Sequence, residues 1–179
     1  MSARFLHRMG LASEPPPAPV PDGVVIRRYA PERDHARIPA LFAAAFGAPP
    51  WPDDWDAFGE FDPRGVFLAE ALATGEAIGF VTCFRRAGFG YVSVLGVVPG
   101  WRRRGVAGAL LRSAVGHLRS LGLTAVEVDA FTDAGPAVGL YRDFGFEVLR
   151  TYEDPEARSD GAAAAPALDG AAPDGARVA

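Results

Sequence analysis

Twelve consecutive residues, Val97-Val98-Pro99-Gly100-Trp101-Arg102-Arg103-Arg104-Gly105-Val106-Ala107-Gly108, join an apolar run to three adjacent arginines and a small-residue helix start. That combination suits a polyphosphate. The first N–H groups of a helix lack intrahelical partners and lie at the positive end of its dipole, so they take anions. Gly105, Ala107 and Gly108 keep the first turn small, which lets a ligand approach the backbone closely. Arg102, Arg103 and Arg104 add charge and donors where phosphate oxygens would lie. Three cations ahead of a helix are otherwise unfavourable there; the alternative is a solvated arginine run. A dinucleotide fingerprint is excluded, because G-x-G-x-x-G is absent.

The elements that must hold this segment follow from periodicity. Tyr91–Val98 is an apolar run entered from a turn at Gly88 and Gly90, and it leads into the loop as a strand. Beyond the loop, Val106, Ala107, Leu110, Leu111, Ala114, Leu118 and Leu121 form one helical stripe, and Gly122 is its natural stop. Upstream, Val24–Tyr29 reads as a strand, and Asp34 is the expected N-cap of a helix carrying Ile38, Leu41, Phe42 and Phe46. Val66–Leu72 and Ala77–Phe84 read as a hairpin about Thr74-Gly75-Glu76. Leu123–Val128, Ala137–Phe144 and Phe146–Tyr152 follow as strand, helix and strand. Alternation of this kind predicts an α/β or α+β layered domain around a mixed sheet.

The ends differ from the middle. Residues 1–23 contain Pro15-Pro16-Pro17, Pro19 and Pro21 and are expected to be a disordered, unpacked arm. Residues 154–179, rich in Ala, Gly, Pro and Asp, are expected to be a disordered tail, which leaves 24–153 as the folded domain. The chain has 179 residues, 49% apolar and 22% charged, with net charge −4. No apolar run approaches membrane-helix length, and an acidic chain argues against broad nucleic-acid binding, so neither membrane nor nucleic acid is an expected partner. The lone Cys83 excludes an internal disulfide and suggests a reducing, cytoplasmic setting. Three scattered histidines give no support for a metal site, and the absence of Lys excludes a Schiff base and a P-loop.

Arg102-Arg103-Arg104-Gly105-Val106-Ala107 resembles the R/Q-x-x-G-x-G/A signature of the GNAT superfamily of acyl-CoA-dependent N-acyltransferases. Downstream, Ala137-Val138-Gly139-Leu140-Tyr141-Arg142-Asp143-Phe144-Gly145-Phe146 is similar to that family's A-x-x-L-Y-x-x-x-G-F motif, in the right order. The resemblance implies a GNAT-like mixed central sheet flanked by helices. It also implies acetyl-CoA as co-substrate and N-acetyl transfer to a primary amine of a small molecule or peptide. Backbone groups of Val97 and Val98 would pair with the pantetheine arm, and the loop from Arg102 through Gly105, Val106 and Ala107 to Gly108 would hold the pyrophosphate. Tyr141 would protonate the leaving thiolate, against the alternative of a helix-face aromatic in the core.

The general base has no obvious candidate. Glu127, Asp129, Asp53, Asp54, Asp56 and Glu60 read as solvated surface acids, and Tyr91 with Ser93 could order a water. Two departures from the family matter. Ala134 stands where an Asn is common, with Asp133 as a partial substitute. The usual last strand has no counterpart after Tyr152, so that sheet edge is expected to be missing, replaced by the tail or supplied by a partner chain, and an exposed edge would favour a homodimer. A catalytically weak acyl-CoA-binding sensor or partner module is the alternative function.

Overall fold

The computed structural model describes residues 4–51, 56, 61–154 and 177–178. Strands β1 (Phe5–Leu11), β2 (Val24–Arg28), β3 (Val66–Ala71), β4 (Ala77–Arg86), β5 (Phe89–Val97), β6 (Val126–Phe131) and β7 (Glu147–Glu153) run in the spatial order β2-β3-β4-β5-β6-β1-β7. All neighbours are antiparallel except β5 and β6, which are parallel, as a helical crossover between them requires. That crossover is α3 (Val106–Ser120), the helix expected from the leucine stripe. Gly122, at φ 82°, lies just past its end. A second crossover, α4 (Gly135–Asp143), returns the chain to β7.

Side-chain alternation divides the core between two sheet faces. Phe67 and Ala69 of β3 join α3 and α4 residues such as Leu110, Leu111, Ala114 and Tyr141 in one buried cluster. Val66 and Leu68, one residue out of phase, join Ile38, Leu41 and Phe42 of α2 (Ile38–Phe46) on the other face. Helices therefore flank the mixed sheet on both sides, as expected.

The N-terminal region corrects the sequence reading. Of residues 1–23, expected as an unpacked arm, those described are packed: β1 lies inside the sheet, antiparallel to β6 on one side and β7 on the other. Met9 and Leu11 enter the core, 0% and 1% exposed. The proline-rich stretch that follows packs along α3. Arg112 donates to the carbonyls of Pro15 (3.3 Å) and Pro16 (3.0 Å), and Arg119 bonds Glu14 and the carbonyl of Ser13. Five prolines keep this strap extended at low entropic cost, so a few anchors suffice.

The missing edge is corrected with it. The place beside β6 is filled from the start of the chain, and the outer edges of the seven-strand path are β2 and β7. Of residues 154–179, expected as a disordered tail, 155–176 and 179 lie outside the described residues. Arg177–Val178 form a two-residue strand, β8, parallel to Val94 and Leu95 of β5. Asp34 is a further correction. It is fully buried at the end of a four-residue helix, α1 (Pro31–Asp34), and accepts from Arg27 at 2.6 and 2.7 Å instead of capping the next helix.

Candidate active site

Strands β5 and β6 pair only over Gly90–Val92 and Val126–Val128. Beyond that point β6 continues against β1 and β5 against β4, so the two parallel strands part and leave a fork. A bulge drives the divergence. Cys83 pairs with Val92 and Thr82 with Val94, which leaves Ser93 unmatched and re-aims the second half of β5. The open side of β5 keeps backbone groups for a chain of strand geometry, and β8 takes them at Val94 and Leu95. Sequence reasoning named Val97 and Val98 for this role. The Val98 N–H instead goes to the Ile78 carbonyl at 2.9 Å, and the Val97 carbonyl accepts from Arg102 Nε at 3.0 Å.

The strand then runs into the arginine loop. Arg102 is committed to structure: besides Val97, its Nη2 donates to the Ala45 carbonyl of α2 at 2.7 Å. It fixes the loop between strand and helix and leaves the outward charge to its neighbours. Arg103 and Arg104 are exposed; Arg103 has φ 61°, rare for a side-chain-bearing residue, and Arg104 lies 5.1 Å over the Trp101 ring. Gly105, at φ 86°, is the N-cap of α3 and contributes no side-chain cap. The first helical bond runs from Ala109 N–H to the Gly105 carbonyl, so Val106, Ala107 and Gly108 present amides at the dipole's positive end. Pro21 and Ala18 of the strap lie beside Gly105 and Gly108, a wall that no local pattern announces.

Tyr141 of α4 is 0% exposed, and its hydroxyl has no hydrogen-bond partner among the described residues. Burial, and then the charge of Asp129, push this phenol well above its ordinary range, so it stays protonated. Asp129 is not a surface acid. It is fully buried on β6, one residue past the last β5–β6 pair. Arg8 of β1 grips both its oxygens at 2.6 Å and reaches Glu127 Oε2 at 3.2 Å, so Glu127 is also paired. The Tyr91 hydroxyl donates to Asp129 Oδ2 at 3.0 Å.

Asp53, Asp54 and Glu60, expected as solvated surface acids, lie outside the described residues; Asp56 pairs with His35 Nδ1 at 3.5 Å. Ala134 is the N-cap of α4 and makes no side-chain bond there, while Asp133 lies 3.8 Å from Arg4. Among the described residues, no three His, Cys, Asp or Glu side chains converge as metal ligands, and no helix is long and apolar enough to cross a membrane.

Comparison with known proteins agrees with this geometry. A profile of the acetyltransferase (GNAT) family matches residues 33–146. Mycothiol acetyltransferase of Streptomyces avermitilis is 37% identical over 142 residues, covering 74% of this chain and 46% of that protein. The protein of the same name from Mycobacteroides abscessus is 32% identical over 163 residues, covering 84% of this chain and 55% of its own length. This chain thus spans about half the length of the curated relatives it matches. Among solved structures, a GCN5-related N-acetyltransferase from Sphaerobacter thermophilus superposes with TM-score 0.72 at 29% identity, over 84% of this chain and 50% of that one.

Proposed function

The chain belongs to the acetyltransferase (GNAT) family, and from that premise we propose that it transfers an acetyl group from acetyl-CoA to a primary amine. The observation that carries this reading is the fork, whose open β5 edge accepts an extended chain and leads into an uncapped helix N-terminus. Acetyl-CoA would lay its pantetheine amides along β5 near Val94, Leu95 and Val97 in place of β8. Its pyrophosphate would meet the amides of Val106, Ala107 and Gly108, with Arg103 and Arg104 on the solvent side.

The amine attacks the thioester carbonyl carbon; the N–C bond forms as the C–S bond breaks. Tyr141 gives its hydroxyl proton to the departing sulfur and regains one from the nitrogen, which sheds a proton in becoming an amide. Tyr141 supports this role because its hydroxyl is buried and unpaired. The relatives' name makes a mycothiol-related small molecule the first acceptor to try, ahead of peptides. A reducing, cytoplasmic setting suits the single buried Cys83, whose thiol burial pushes up to about 12. A homodimer would pair through β7, where Val148 and Leu149 are exposed.

The test is thiol release from acetyl-CoA with a panel of small-molecule amines and peptides. The double variant Arg104→Glu/Gly105→Val serves as the blank. Turnover with a small-molecule amine, lost together with acetyl-CoA binding in the variant, is expected. Binding without turnover across the panel would favour the sensor module, and unaltered binding by the variant would remove the loop from the site.

A further inference from the structure

The proposed transfer leaves one need unmet. Nothing yet described holds the amine or governs its charge, and an ammonium has no lone pair with which to attack. The hydrogen bond from Tyr91 to Asp129 bridges β5 and β6 at the place where they part. Because that bond commits the Tyr91 proton to the carboxylate, the phenol oxygen keeps only acceptor capacity for a third group. Its polarisation by the carboxylate makes it a better acceptor than a free phenol. Arg8 holds the opposite side of Asp129 through two bonds of 2.6 Å, a fork-to-fork pair that fixes the carboxylate in its plane.

We propose that Tyr91, buried with Asp129 at the closed base of the fork, holds the acceptor amine there, and that Arg8 and Asp129 are positioning residues that aim its hydroxyl and keep the local charge near zero. This rests on the acetyl-transfer reading. A bare buried carboxylate here would attract a cation and hold the acceptor as ammonium. The guanidinium cancels that charge, so the acceptor enters by leaving a proton in solvent and binds as the neutral, attacking amine. Other charged or titratable groups face the pair from each neighbouring element. Arg86 of β4 lies 4.1 Å over the Tyr91 ring, Glu127 of β6 shares Arg8, and the Tyr152 ring of β7 is 5.9 Å from Arg8. Tyr141 of α4 feels the Asp129 charge. The two tyrosines that flank Asp129 besides Tyr91 remain protonated at neutral pH, since burial and Asp129 both raise them.

The experiment is the pH dependence of kcat, at saturating acetyl-CoA and amine, together with the amine KM, in the full chain. It uses acetyl-CoA with whichever of tyramine, spermidine and glucosamine turns over fastest. Tyr91→Phe removes only the hydroxyl and leaves the Arg8–Asp129 pair intact. It should raise the amine KM about tenfold, with acetyl-CoA affinity unchanged. Arg8→Met bares the carboxylate and should move the acid limb upward by about one pH unit, while Arg8→Lys restores it toward its original position. If Arg8→Met does not fold, Arg8→Met/Asp129→Leu/Glu127→Gln removes the guanidinium together with both carboxylates it binds and should keep the acid limb in place. An unmoved amine KM in Tyr91→Phe, or an acid limb that shifts in the triple variant, would overturn the proposal while leaving acetyl transfer standing. No transfer by the unaltered chain would overturn the acetyl-transfer reading and this inference with it.

Discussion

The Tyr141 hydroxyl is buried in the core without a partner among the described residues, a condition that costs about 1–3 kcal/mol for a polar group. A fold that only needed an aromatic there would be better served by phenylalanine. Tyr141→Phe should therefore raise stability by about 1 kcal/mol in a denaturant titration, while lowering turnover about 10²- to 10⁴-fold at unchanged acetyl-CoA affinity. Lost stability in that variant would mean that the hydroxyl has a partner after all. At this scale the sequence was informative where residues are neighbours. The loop from Arg102 to Gly108 and the motif around Tyr141 are local, and they fold as the approach to α3 and as α4. Asp129 was misread as a surface acid because its partner, Arg8, is 121 residues away in a stretch that shows no strand repeat. A bulge between Arg8 and Met9 breaks the alternation that would have revealed it.

Between α1, β2 and β3, three arginines surround two buried acids. Arg27 binds both Asp34 and Glu70 at 2.6 Å, and Arg33 and Arg37 close on Glu70 at 2.7 and 3.0 Å. The network pins α1, and the start of α2 behind it, to the sheet. Hydrogen bonding from Arg27 above all holds the Glu70 carboxyl down, from the ordinary 4.5 to about 2. The depressed value sets the sign: this stabilisation is complete above about pH 4.5 and is lost as pH falls toward 2. Melting temperatures should decline through that window. Glu70→Gln should lose about 3–5 kcal/mol at neutral pH and flatten the acid decline. A variant as stable as the parent would mean that the arginines find other partners. Helix α3 was legible because its stripe is long and repeats; α1 was not, because Asp34 looks like a cap until Arg27 reaches it from the preceding strand.

At the scale of the molecule, the mixed sheet was predictable from the alternation of strands and helices, but its closure was not. Proline-rich composition correctly marks a segment without regular structure over residues 12–23, and it hid the strand that precedes it. Burial of Met9 and Leu11 and the bonds of Arg8 make β1 an internal part of the sheet. Removing residues 1–11 should abolish cooperative thermal unfolding and near-ultraviolet dichroism, whereas an appendage could be cut away without effect. The same strand sets a schedule for synthesis. Phe5–Leu11 leaves the ribosome before the other strands of this sheet, yet Leu11 pairs with Val126 and Phe5 with Glu153, both made far later. Closing so long a loop carries a large entropic cost before any contact rewards it. The nascent chain must keep β1 unpaired until β6 and β7 have emerged, and only then can the sheet be completed.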